Sequence, residues 1–143
     1  MTADEIIAHL GMKPHPEGGH YVETFRAPGP HHEESGRSSG TAIYFLLKAG
    51  ERSHWHRVDA VETWHYYAGA PLVLEIAADE SGPIRRMKLG PDIAMGERPQ
   101  GVVATGHWQA AESLGDWTLV GCTVAPGFEF ANLEMAPRDW SPA

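Results

Sequence analysis

At 143 residues with 42% hydrophobic content, the chain is long enough for one domain with a real core and too short for two ordinary ones. Its formal charge of −8 comes from acids spread along the chain, not gathered in a tail. That balance disfavours nucleic acid and anionic membrane as partners and leaves any anionic ligand to be held by particular arginines.

The first ten residues, MTADEIIAHL, read as one short helix. Thr2 and Glu5 fit a capping box, Ile6, Ile7 and Leu10 share a face, and Gly11 stands where the helix stops. The segment carries acids and no basic region leading into an apolar run, and no stretch reaches the ~18 apolar residues of a membrane span, so a cytoplasmic protein is expected. After Pro14 and Pro16 the pattern changes: 16 glycines and 11 prolines cut the chain into short runs of aromatic and β-branched residues, as in an all-β sandwich or barrel. Strands are expected over 19–27, 41–49, 53–57, 61–68, 71–78, 83–89, 101–105, 107–112, 116–125 and 128–135, with DESG at 79–82 a hairpin connection. Residues 28–40 are an expected loop, in which His31 and His32 read as solvated. Cys122, the single cysteine, excludes an internal disulfide framework, and its setting LVGCTVA reads as a buried strand thiol.

The stretch GERSHWHRVDAVETWHYYAG at 50–69 concentrates chemistry. Side chains two apart on a strand share a face, so His54 and His56 are expected to present both imidazoles to one point, with Glu62 arriving from the next strand and Trp64 and Tyr66 continuing that inward face. Two imidazoles and a carboxylate suit iron, manganese, zinc, nickel or cobalt. His65 has the opposite parity and reads as an interface or core-edge residue. In HPEGGHY, Gly18 and Gly19 admit backbone conformations closed to other residues, and Glu17 reads as a cap on a turn. Arg26, Arg37 and Arg57 are placed near the barrel mouth, with Arg26 and Arg57 as expected grips for a carboxylate, phosphate or diphosphate; pairing with a surface acid is the alternative for each, with Asp59 beside Arg57, and the preferred reading for Arg37. Tyr44, Trp64, Tyr66, Trp108 and Phe130 read mostly as core, with Tyr44, Trp64 and Trp108 as expected pocket walls.

The pattern Gly50, His54, His56, Glu62, Gly69 resembles the first signature motif of the cupin superfamily. HPEGGHYVETFR at 15–26, TAIYFLL at 41–47, WHRVDAVETWHYYAG at 55–69, GHWQAAES at 106–113 and VGCTVAPGFEF at 120–130 together resemble one uncharacterised single-domain cupin family. The resemblance implies one domain over 1–143, a double-stranded β-helix of the RmlC-like jelly-roll type with the helix at its N-terminus, a small-molecule pocket inside the barrel and a homodimer. It does not imply a reaction, because the fold serves many chemistries. In the second cupin motif, Ala104 stands at the proline position and Gln109 at the histidine position; His107 shares the parity of Gln109 and is an alternative ligand.

Three functions follow as expectations. In the first, His54, His56 and Glu62, completed by Gln109 or His107, hold a divalent iron, manganese, nickel or zinc ion that works on a small polar or anionic metabolite. In the second, a metal-free enzyme of sugar-nucleotide epimerase or isomerase type uses His56 as base and Tyr66 as acid. The third is a non-catalytic module that binds a nucleotide or metabolite.

Overall fold

The computed structural model describes residues 1–28 and 36–143, so His31 and His32 lie outside the described residues. The helix, α1, spans Ala3–Leu10. Thr2 Oγ1 accepts the Glu5 amide at 3.2 Å, and Gly11 ends the helix at φ 66°. Ile6 packs with Met12 and Leu46 on the outside of a sheet.

The strands are β1 Lys13–Pro14, β2 His20–Arg26, β3 Thr41–Lys48, β4 Arg52–Val58, β5 Val61–Gly69, β6 Leu72–Ala77, β7 Arg85–Leu89, β8 Gln100–Val103, β9 Trp108–Ser113, β10 Trp117–Ala125 and β11 Leu133–Met135. They form two antiparallel sheets, ordered β1-β2-β3-β10-β5-β8 and β11-β4-β9-β6-β7. The fold is the jelly roll that the sequence led us to expect. Two departures are local. The pairing of Lys13 and Pro14 with β2 adds a short edge strand. The expected strand 128–135 is irregular at its start: Gly127 and Phe128 give their amides to the Ser38 carbonyl and to Thr41 Oγ1, at 2.7 and 3.0 Å, and a 3₁₀ turn over Phe130–Asn132 precedes β11. No helix among the described residues is long and apolar enough to cross a membrane.

Alternation puts Phe45, Leu47, Trp64, Val120 and Cys122 of the first sheet against Leu72, Leu74, Ile76 and Ala111 of the second. These side chains close one end of the barrel. Towards the other end the inward positions become Ile43, His56, Glu62 and Val124, and the sheets enclose a cavity of about 480 Å³.

Candidate functional site

Glu62 and His56 face each other into the cavity from the two sheets. Glu62 lies on β5 between Val124 of β10 and Val103 of β8. His56 lies on β4 opposite Gln109 of β9. A third group, Glu17, enters from the loop between β1 and β2 and places Oε2 2.8 Å from His56 Nε2. Two glycines make that approach possible. Gly18 (φ 111°) passes so close to β4 that a Cβ would lie 2.1 Å from the Arg52 carbonyl, and a Cβ on Gly19 (φ 76°) would lie 2.7 Å from that of Leu46. Glu17 is therefore no turn cap: its carboxylate is spent on His56, and its own amide is held by His15 Nδ1 at 3.1 Å.

All three groups are buried, with exposures of 1% for His56, 6% for Glu17 and 7% for Glu62. Burial pushes the His56 imidazole down, but the charge and hydrogen bond of Glu17 outweigh it and raise the pKa to about 9. Burial likewise opposes ionisation of Glu17, and the facing imidazolium overcomes it, so that Glu17 titrates below the ordinary carboxylate range. Glu62 has no such counter-ion bonded to it. Burial, then repulsion from Glu17, lifts it to about 7 against the attraction of His56. One buried site thus contains a fixed ion pair and a carboxyl poised near neutrality.

Hydrogen bonds fix the orientation of these groups. His56 Nδ1 donates to the His54 carbonyl at 2.7 Å, so both ring nitrogens are donors and neither offers a lone pair. Trp64 Nε1 donates to Gln109 Oε1 at 2.7 Å, which turns the amide so that Nε2 donates to Glu62 Oε1 at 3.0 Å. The chain Trp64, Gln109, Glu62 holds the poised carboxyl in place. Cys122 lines the cavity beside Glu62, its thiol pushed well up by burial and by that carboxyl.

The structure brings His56, Glu62 and Gln109 together and leaves other expected members elsewhere. Ser53 pairs with Ala111 and His56 with Gln109, so three steps along β4 match two along β9. This bulge breaks the parity on which the His54–His56 clamp rested. The fully buried Ser53 takes the place expected for His54, whose ring is half-buried with its pKa lowered by burial and by Arg138 and Arg52. His107 precedes β9 and acts electrostatically on Asp79 of the β6–β7 turn. Tyr66 gives its hydroxyl to the Gly69 carbonyl at 2.6 Å. Tyr44 packs against the α1 cluster on the outer face. Trp108 belongs to an outer cluster with Trp55 and Trp140, and Arg57 stacks on it, 4.6 Å from the ring, while pairing with Glu134 and Glu80. Arg37 binds Asp59 at 2.9 and 3.0 Å. Arg26 does line the cavity, with its guanidinium on Glu23 and Glu129. Trp64 sits behind the cavity as the donor to Gln109.

Among the cavity residues that sequence reasoning missed are Glu17, His15, Lys13, Tyr21, Phe128 and Phe130. For Glu17 and His15 a signal existed, since two successive glycines announce a close backbone approach. The residues present do not fit the expected metal clamp. His56 has both nitrogens engaged as donors, the one good donor atom of Gln109 is taken by Trp64, and His54 and His107 are elsewhere. Among the described residues, no three His, Cys, Asp or Glu side chains are grouped so that they could hold an ion.

Residues 4–136 match the family described as Cupin superfamily (DUF985). The chain belongs to this cupin family. The cupin is similar to protein SO0799 from Shewanella oneidensis, with 37% identity and a TM-score of 0.88 over 95% of this chain and 85% of that one. It is similar also to a hypothetical protein from Leishmania major, with 34% identity and a TM-score of 0.85 over 95% and 88% of the two chains. Oxalate decarboxylase from Bacillus subtilis shares the fold at 15% identity and a TM-score of 0.63, over 85% of this cupin and 29% of the enzyme. No match is found among the curated proteins.

Proposed function

We propose that this cupin is a metal-free enzyme that moves a proton on a small polar or anionic metabolite held in the barrel, the chemistry of an isomerase or epimerase. The observation that carries the reading is the pair of buried carboxyls with opposite fates, Glu17 locked as the counter-ion of His56 and Glu62 titrating at about 7. A general acid–base group works best when its pKa is near the working pH, and Glu62 meets that condition where His56, protonated to about 9, does not. In this reading Glu62 takes a proton from a carbon next to a carbonyl and returns it, while the His56–Glu17 pair, with both imidazole N–H groups committed, forms a fixed polar wall of the site. Tyr66 has no part in it.

The test is solvent exchange. A panel of keto-acids, keto-sugars and sugar nucleotides is incubated with the untagged protein in deuterium oxide and followed by proton NMR. Exchange should appear at a carbon-bound position, fall off below pH 7 and drop at least a hundredfold in Glu62→Gln. Exchange that survives Glu62→Gln overturns the assignment. Stoichiometric bound metal that disappears in His56→Ala would overturn the metal-free reading.

Two copies are proposed to pair through the outer face of the six-stranded sheet. One cross-strand row there runs Phe25, Ala42, Thr123, Thr63, Val102 without a charge, and Phe25, Val61, Tyr67 and Val102 are 40–56% exposed. For a chain with a charge of −8, an uncharged face is where two copies meet with least repulsion. Light scattering should give about twice the 15.6 kDa chain mass, reverting to one chain in Phe25→Glu. A monomeric wild type overturns the assignment.

A further inference from the structure

The cavity mouth is walled by aromatic rings that the acid–base reading does not use. Phe128 and Phe130 meet edge to face with centroids 4.9 Å apart, and Tyr21 lies 6.2 Å from Phe130. His15, below them, is 4.7 Å from Tyr21 and 5.7 Å from Phe130. Phe130 remains 49% exposed although it lines the cavity. Leaving half a phenyl ring in water forfeits burial that the fold could have used, and the segment carrying it is nonetheless held firmly. Arg26 donates to the Phe128 carbonyl at 3.0 Å and to Glu129 at 3.3 Å, and Thr41 accepts the Phe128 amide. The rings are thus pre-positioned around an opening.

Two donors adjoin them. Lys13 holds its ammonium 5.5 Å from the Tyr21 centroid and makes no ion pair among the described residues. His15 accepts the Glu17 amide on Nδ1, so in the neutral ring the proton sits on Nε2, and that ring lines the cavity. Resting on the reading of this cavity as the small-molecule site, we propose that its substrate is a planar aromatic ring joined to an anionic group. The ring stacks among Tyr21, Phe128 and Phe130; the anion lies on the Lys13 ammonium and the His15 Nε2–H. Flat π-faces bind a ring better than a saturated one of equal size, and a single unpaired cation selects an anion over a neutral analogue.

Phenyl phosphate and cyclohexyl phosphate, alike in charge and size, separate these contributions by ligand-observed NMR titration of the full chain. Phenyl phosphate should bind about twofold to tenfold more tightly. Phe130→Leu, which keeps apolar bulk without a π-face, should remove most of that preference and leave the melting temperature unchanged. Lys13→Gln should weaken both probes by a similar factor. Equal binding of the two probes, binding of neither, or a preference undiminished in Phe130→Leu overturns the proposal. Glu62→Gln should keep the ring preference while losing proton exchange, so failure of the acid–base reading and failure of the ring preference are read separately.

Discussion

At His56 both ring nitrogens donate, one to a backbone carbonyl at 2.7 Å and the other to Glu17 at 2.8 Å, so the imidazole keeps its proton for as long as Glu17 is ionised. Glu17→Gln preserves shape and hydrogen-bonding capacity but removes the charge. Burial is then the dominant influence on His56, and its pKa should fall from about 9 to below its ordinary 6.5. Glu62 loses a repulsion from Glu17 and, once His56 is neutral, an attraction, so its midpoint should move much less. Side-chain NMR titration of both groups checks the pair of outcomes, and a His56 still titrating near 9 in the variant would refute the role given to Glu17. Removing one partner of a buried pair should also cost about 3 kcal/mol of stability. A second residue-scale expectation concerns Trp64, whose indole N–H orients Gln109. Trp64→Phe frees that amide to flip and present its oxygen to Glu62, which should raise the Glu62 midpoint above about 7, as the pH profile of exchange would register.

At the scale of elements, the loop carrying Glu17 and the strand carrying His56 behave as one unit. The His54 amide donates to the Glu17 carbonyl at 2.8 Å, and Gly18 leaves no room for a Cβ against the Arg52 carbonyl. Gly18→Ala combines that clash with a left-handed φ, and should destabilise the protein by about 2–4 kcal/mol while detaching Glu17 from His56. Chemical denaturation measures the first effect and His56 titration the second; a variant with unchanged stability would mean that the loop can shift freely. This coupling shows why the sequence was legible unevenly. Strand alternation over Thr41–Lys48 and Val61–Gly69 follows from a two-residue period, so an all-β fold and the inward positions of Glu62 and Trp64 could be read directly, while the jelly roll came from the family resemblance. The bulge in β4 could not, because it is imposed by pairing with β9, and one extra residue was enough to exchange Ser53 for His54 on the inner face. The aromatic mouth was hidden for a related reason. Phe128 and Phe130 are positioned by Arg26 and Thr41, remote in sequence, and by no local period.

For the molecule as a whole, the buried cluster couples protonation to folding. Glu62 has its pKa raised from 4.5 to about 7, so its neutral form stabilises the fold fully below pH 4.5, and that contribution is lost as pH rises through 7. His56, raised from 6.5 to about 9, contributes fully below pH 6.5 and loses its contribution as pH rises through 9. Glu17 works in the opposite direction: its depressed pKa stabilises above 4.5 and the contribution is lost on acidification. The three together put maximal stability near pH 5, with a decline towards pH 9. Each shifted group supplies on the order of a few kcal/mol, and a chain of this size changes its melting temperature by about 3 °C per kcal/mol. Calorimetry should therefore find a fall of roughly fifteen degrees between pH 5 and pH 9. The general repulsion of a chain with a charge of −8 adds to this fall, so the discriminating comparison is the wild type against Glu62→Gln. The variant keeps the surface charges and the His56–Glu17 pair but lacks the carboxyl that ionises near 7, so its stability should fall less steeply than that of the wild type from pH 5 to about 6.5. Parallel wild-type and variant curves over this lower interval would mean that Glu62 ionises at no cost in the folded protein, and would remove the physical basis for its role as the proton-transfer group.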